Sequence, residues 1–257
     1  MSTPPDPAAP GEWAGAVDAV LLDVDDTLVD TRGAFTASVD AVRRAFLPDV
    51  GPERLDAMVA LWRADPHGRY RAYTRGEVTF DEQRRRRADE LHRAFGGPPV
   101  DEASYPAWLE VFWGAFEAAW RPFADARTTV DALTRAGLLV GAVTNAGADL
   151  QRRKLAACGL ADVPVLVTVE TFGVGKPDPR VFREGAHLLG ADPGRTVYVG
   201  DELDVDALGA VRAGLRGVWL DRPGTRRGGP HAEDPATAVA AGAVVVPALT
   251  GLVGLLV

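Results

Sequence analysis

Residues 19–30 read Ala-Val-Leu-Leu-Asp-Val-Asp-Asp-Thr-Leu-Val-Asp. Asp23, Asp25, Asp26 and Asp30 crowd the stretch just past the apolar run Val20-Leu21-Leu22. Carboxylates this close repel one another and resist joint ionisation, so the cluster calls for a cation. The plainer alternative is a polar exit from a strand, with an aspartate capping the next helix. Further reactive groups stand at Thr144-Asn145, at Gly200-Asp201, and at Lys176 within Gly173-Val-Gly-Lys-Pro-Asp-Pro. Carboxylates suit Mg²⁺, which takes oxygen ligands and keeps several waters. A lysine, a hydroxyl and a helix N-terminus suit phosphate oxygens.

These groups converge only if the elements that bear them do. Val20–Leu22 is a short apolar run of the kind buried on both faces of a parallel sheet. From about residue 128 the chain alternates helix and strand, with strands expected at 138–143, 165–169, 197–199, 218–220 and 243–246. Glycines 137, 159, 190 and 214 close the intervening helices. This rhythm predicts an α/β fold, a doubly wound, Rossmann-like parallel sheet with right-handed crossovers. Residues 32–124 have a different rhythm, helical throughout, so an all-helical block is inserted after the first strand. The expected organisation is a disordered tail over 1–15, an α/β core over 16–31 and 125–257, and an inserted helical domain over 32–124. In a parallel sheet the strand ends share one edge, which gathers Asp23, Asp25, Thr144, Asn145, Lys176 and Asp201 into one site.

Composition narrows the partners. A formal net charge of −8 argues against a broad nucleic-acid or membrane-surface footprint. No apolar stretch reaches the roughly 20 residues of a membrane span. Residues 1–10 have neither the basic nor the apolar segment of a signal peptide. One cysteine, Cys158, excludes an intramolecular disulfide and suits a reducing cytoplasm. The four histidines have no metal-like spacing and read as incidental. Lys176 does not mark a nucleotide P-loop, because Glu170 and Pro177 stand where that motif needs Gly and Ser/Thr. The aromatic stripe Trp108, Phe112, Phe116 and Trp120 is expected to be helix-on-helix packing. The loop 224–230, with Arg226 and Arg227, reads as exposed and flexible.

Asp23-Val-Asp-Asp-Thr-Leu, Thr144-Asn145, Lys176-Pro177 and Gly200-Asp201-Glu-Leu-Asp-Val-Asp206 together resemble the four ordered motifs of the haloacid dehalogenase (HAD) superfamily. Their order and spacing are similar to its first subfamily, which carries a C1-type helical cap, so the resemblance implies that the helical domain over 32–124 is a cap. The resemblance implies roles. Asp23 is the expected nucleophile and Asp25 the expected acid and base. Mg²⁺ is expected on the Asp23 carboxylate, the Asp25 main-chain carbonyl and Asp201. Thr144 and the Asn145 region are expected to bind the phosphoryl group, Lys176 to neutralise charge, and Asp206 to support the metal site or Lys176. Asp25 points to the phosphatase branch, since a departing halide needs no proton. Glu202 and Ala146 depart from the residues common in relatives, and the Glu202 carboxylate could bind metal or water.

The expected function is Mg²⁺-dependent hydrolysis of a small soluble phosphomonoester through an aspartyl-phosphate, by a cytoplasmic monomer or homodimer. A phosphomutase or 2-haloacid dehalogenase of the same fold is an alternative. A phospho-accepting receiver or a non-catalytic binding module is a different class. The receiver is disfavoured because Asp23 ends the first strand and Asp201 follows Lys176. The cap is expected to set specificity, and Arg84, on the apolar stripe of the helix at 80–95, could meet a substrate carboxylate or second phosphate. The plainer expectation for Arg84 is a solvated or ion-paired side chain.

Overall fold

In the computed structural model, which describes residues 11–227 and 233–257, strand β1 (Ala19–Leu22) has no solvent exposure on either face. It lies in the middle of a six-stranded parallel sheet of order β3-β2-β1-β4-β5-β6. The others are β2 (Leu139–Val143), β3 (Val165–Val167), β4 (Thr196–Gly200), β5 (Arg216–Leu220) and β6 (Val244–Val246). All six occur where the hydropathy pattern expects them. The expected strand at 165–169 is shorter, because Thr168 caps the short helix Val169–Phe172.

The chain winds outward from β1 through β2 to β3, then returns to the other side of β1 as β4. This reversal is the topological switch at which parallel sheets bind ligands. Register makes the site level: Leu22 pairs with Ala142 on β2 and with Val199 on β4. Asp23, Thr144 and Asp201 therefore all follow immediately on strand ends at one edge. Under the sheet, Leu21, Val143 and Tyr198 pack with Val181 and Phe182 of the helix Pro179–Leu188. That buried apolar layer fixes the strands from which the polar ends project.

The chain divides into two compact units, Met1–Val29 with Pro122–Val257, and Asp30–Arg121. The second is all helical among its described residues, with principal helices Thr31–Phe46, Leu55–Ala64, Phe80–Ala94 and Tyr105–Ala118. Its core is aromatic: the ring centroids of Trp108 and Phe112 lie 5.0 Å apart, and those of Phe35 and Phe116 4.8 Å apart. The stripe Trp108, Phe112, Phe116 and Trp120 is buried, as helix packing requires. Among the described residues no helix is long and apolar enough to cross a membrane.

Two expectations change. Residues 11–15 were expected to be a disordered tail. Instead they form turns held to the last helix, where Gly11 N donates to Gly254 O at 2.7 Å and Trp13 N to Leu255 O at 3.1 Å. Residues 1–10 of that tail lie outside the described residues, as do His231 and the 228–230 part of the arginine loop. In the rest of that loop Gly224 and Arg226 are exposed as expected, and the departure is Arg227, whose side chain is buried among carboxylates. Arg226 pairs with Asp221 at 2.6 Å, and the buried Arg227 guanidinium contacts Glu202, Asp204 and Glu233.

Candidate active site

Asp23 leaves β1 with its main-chain N–H still bonded to Val199 O, at 2.9 Å. Its side chain is buried, and Oδ1 accepts from Val24 N at 2.8 Å and from Lys176 Nζ at 2.9 Å. The loop then turns sharply. Asp26 takes a left-handed conformation (φ 56°), which a short polar side chain tolerates better than most, and Asp26 N bonds to Val29 O. Asp30 is a helix cap, its carboxylate accepting from Gly33 N at 2.8 Å. The plainer reading therefore holds for Asp30 and not for Asp23.

Lys176 is almost entirely buried and bridges two carboxylates. Its Nζ lies 2.9 Å from Asp23 Oδ1 and 2.8 Å from Asp206 Oδ1, and donates to Tyr198 Oη at 2.7 Å. Burial alone would push the lysine down. Asp206 and Asp23 outweigh it and hold Lys176 well above its ordinary range. Burial pushes Asp23 up to about 8; Lys176 opposes the rise, while Asp206 and Asp25 add to it.

Asp206 is fully buried, and its second oxygen accepts from Glu202 N at 3.0 Å. A π-helical turn, Leu203–Ala207, carries it back under the strand end. Gly200 makes that return possible, since a Cβ there would meet the Asp206 carboxylate carbon at 2.3 Å. Asp201 keeps partial exposure, and its carbonyl is pinned by Trp219 Nε1 at 2.9 Å.

Carboxylate oxygens of Asp23, Asp201 and Asp206 lie within 4.8 Å of one another and could hold a metal ion. All three offer hard oxygen donors, which suits Mg²⁺ or Ca²⁺ and not Zn²⁺ or copper. Asp206 is engaged through both oxygens, Oδ1 by Lys176 and Oδ2 by Glu202 N, whereas the contacts of Asp23 to Val24 N and Lys176 both fall on its Oδ1. The Asp25 side chain stands outside this triad. Glu202 lies 3.1 Å from Arg227, which occupies the carboxylate that could otherwise have joined the site.

Thr144 follows β2 directly and is buried. Its Oγ1 accepts from Ala146 N at 3.2 Å and from Gln151 Nε2 at 2.9 Å. With both lone pairs taken, its hydrogen is left to donate. Asn145 has a different task from direct contact through its amide. Its Oδ1 accepts from Lys176 N at 2.6 Å and its Nδ2 donates to Lys176 O at 3.0 Å, so it clamps the main chain that presents Lys176. Gly175 leaves room for this clamp, because a Cβ would meet Asn145 Oδ1 at 2.3 Å.

Two residues that the motifs do not include also reach the site. Lys154 Nζ pairs with Asp25 Oδ1, and Gln151 Nε2 donates to Asp25 Oδ2 at 2.6 Å. The available signal was compositional. The chain has only two lysines, Lys154 and Lys176, among its 28 basic residues, and Gln151 stands three residues before Lys154 on one helix face.

Arg84 is neither solvated nor ion-paired among the described residues. It is 5% exposed, with its guanidinium 4.6 Å from the Phe80 ring, 4.9 Å from Phe112 and 4.6 Å from Trp113. Its Nε and Nη1 have no hydrogen-bond partner there.

The sequence model of the haloacid dehalogenase-like hydrolases matches residues 17–214. The chain belongs to this family. This HAD-like hydrolase is 32% identical over 215 residues to the glyceraldehyde 3-phosphate phosphatase of Methanopyrus kandleri, across 80% of this chain and 84% of that one. It is 43% identical over 102 residues, 39% of either chain, to a phosphoserine phosphatase of Thermus thermophilus. Among solved structures, the HAD-hydrolase YfnB from Bacillus subtilis, bound to magnesium, superposes with a TM-score of 0.69 at 22% identity, covering 92% of this chain and 96% of that one. The L-2-haloacid dehalogenase of Xanthobacter autotrophicus gives 0.68 at 22% identity, over 92% and 97%. These two likenesses show the fold.

Proposed function

We propose that this HAD-like hydrolase is a Mg²⁺-dependent phosphatase acting on a small phosphomonoester through an aspartyl-phosphate on Asp23. The observation that carries the proposal is the pairing of Asp23 with buried Lys176 beside Asp201, at the edge where Thr144 keeps a hydroxyl to donate. The phosphatase relatives support it, and the substrates in their names make phosphorylated metabolites the first class to test.

The chemistry follows from charge. A carboxylate and a phosphate monoester are both anions and must be brought together. Phosphoryl transfer is accelerated chiefly by positioning and charge stabilisation. Lys176 offsets one charge beside Asp23, and Thr144 donates to a phosphoryl oxygen. Asp23, Asp201 and the Asp25 carbonyl would hold Mg²⁺, which supplies positive charge where the transferred group's oxygens gather. An Asp23 oxygen attacks phosphorus as the ester P–O bond breaks, and Asp25 gives its proton to the departing oxygen. Water then loses a proton to Asp25 and attacks phosphorus. The Asp23–phosphorus bond breaks, releasing inorganic phosphate and restoring both side chains. Asp25 favours this over carbon–halogen cleavage, since halide departs without a proton. The buried lone cysteine fits work in a reducing cytoplasm.

The test is turnover of p-nitrophenyl phosphate with and without Mg²⁺. Wild-type protein should require the metal. Thr144→Val should lose on the order of 10²–10³ in rate, the usual cost of one transition-state donor, and Asp23→Asn considerably more. Turnover that persists in Asp23→Asn rules out the nucleophile.

A further inference from the structure

Lys154 is 1% exposed, on the helix Ala148–Ala157 whose neighbours Arg152 and Arg153 are exposed. Burying an ammonium costs several kcal/mol unless it is well paired. Lys154 pairs with Asp25, which lies 129 positions earlier in the chain. Gln151, with no exposure, sends its two N–H hydrogens to two different places. One goes to Asp25 Oδ2 at 2.6 Å and the other to Thr144 Oγ1 at 2.9 Å. Its own Oε1 is buried without a hydrogen-bond partner. A buried acceptor left unmet is costly, so the amide is oriented for its two donors at the expense of its oxygen.

We propose that Lys154 and Gln151 are positioning residues that fix the Asp25 carboxylate for proton transfer and tie it to the Thr144 hydroxyl. This rests on the phosphatase reading above. The grip comes from the protein side: the Lys154 side chain keeps 1% exposure while that of Asp25 keeps 30%, so the acid stays accessible. One helix face thereby sets both the group that protonates the leaving oxygen and the group that receives the phosphoryl oxygens. A one-residue shift would separate them, because consecutive helix residues point about 100° apart. A general acid contributes typically 10²–10⁴ in rate, and a misplacement of about 1 Å removes roughly 10² of such a gain.

Leaving-group dependence separates this role from a merely structural one. p-Nitrophenolate departs readily without a proton, whereas an alkoxide needs one. The experiment compares kcat/KM for p-nitrophenyl phosphate with that for the best wild-type alkyl substrate among sn-glycerol 3-phosphate, phosphoserine and glyceraldehyde 3-phosphate. Lys154→Met should lower the alkyl value on the order of 10–100-fold, and the aryl value by less than about 3-fold, since little acid assistance is lost there. Gln151→Met should show the same direction of split, and carries the test if Lys154→Met does not fold by circular dichroism. Equal losses on both esters, or no loss on either, overturn the inference while leaving the phosphatase reading intact. Wild-type protein that hydrolyses neither ester with Mg²⁺ present overturns that reading, and the inference with it.

Discussion

Lys176 is a buried cation held between two carboxylates at the candidate site. It stands between Asp23 and Asp206, and Asp206 has no exposure at all. Removing one partner of a buried ion pair is far worse than replacing both, because a charge is left in a poor solvent. Lys176→Met should therefore cost about 3–5 kcal/mol of stability as well as activity. Thermal unfolding of this variant beside Lys176→Met/Asp206→Leu checks it, since the double variant should recover part of the loss. At this scale the motif residues were legible from their types. The sequence marks Asn145 as a candidate but not its clamp on the Lys176 main chain, which depends on two loops meeting. The rarity of lysine sets Lys154 apart in the sequence but does not show that it faces Asp25, because that pairing joins residues 129 positions apart.

At the scale of elements, the helix Phe80–Ala94 locks to Tyr105–Ala118 through His92. Trp108 Nε1 donates to His92 Nε2 at 3.1 Å, while His92 Nδ1 lies 2.9 Å from Pro98 O. Nε2 must be unprotonated to accept, so the ring is neutral with its hydrogen on Nδ1. Burial lowers its pKa below 6.5, against the opposing pull of the Pro98 carbonyl. A group whose folded pKa is depressed contributes stability above the unfolded value, and that stability is lost as pH falls through the folded one. The helical unit should thus weaken as pH drops below about 6.5. His92→Gln keeps a donor and an acceptor without titrating, and should flatten this dependence. Denaturant unfolding followed by tryptophan fluorescence between pH 7 and pH 5 reads the difference. An unchanged slope would show that His92 does not set it. The π turn at Leu203–Ala207 belongs to this scale too. Hydropathy gives no sign of the wider turn that returns Asp206 to Lys176.

Across the whole molecule, stability and ligation are linked. Carboxylates gathered within 4.8 Å repel one another in the folded chain and are dispersed in the unfolded one. A cation that binds only the folded form should stabilise it by about 2.7 kcal/mol at a hundred times its dissociation constant. Mg²⁺ is therefore expected to raise the melting temperature of wild-type protein, and Asp201→Asn to abolish the rise. Scanning calorimetry over a Mg²⁺ titration measures both, independently of any substrate.

The sequence by itself determined the parallel sheet, the helical insertion after β1 and the edge at which the polar groups collect. Local hydropathy sets strands and helices, and a parallel sheet aligns strand ends whatever the distance between them in the chain. Only the tertiary structure decided which partner each polar atom takes. Asp206 went to Lys176, Asn145 to the main chain of Lys176, Lys154 and Gln151 to Asp25, and Arg84 to three aromatic rings. These assignments depend on a few ångströms and on burial, which makes an unpaired charge costly. Neither quantity is carried by spacing along the chain.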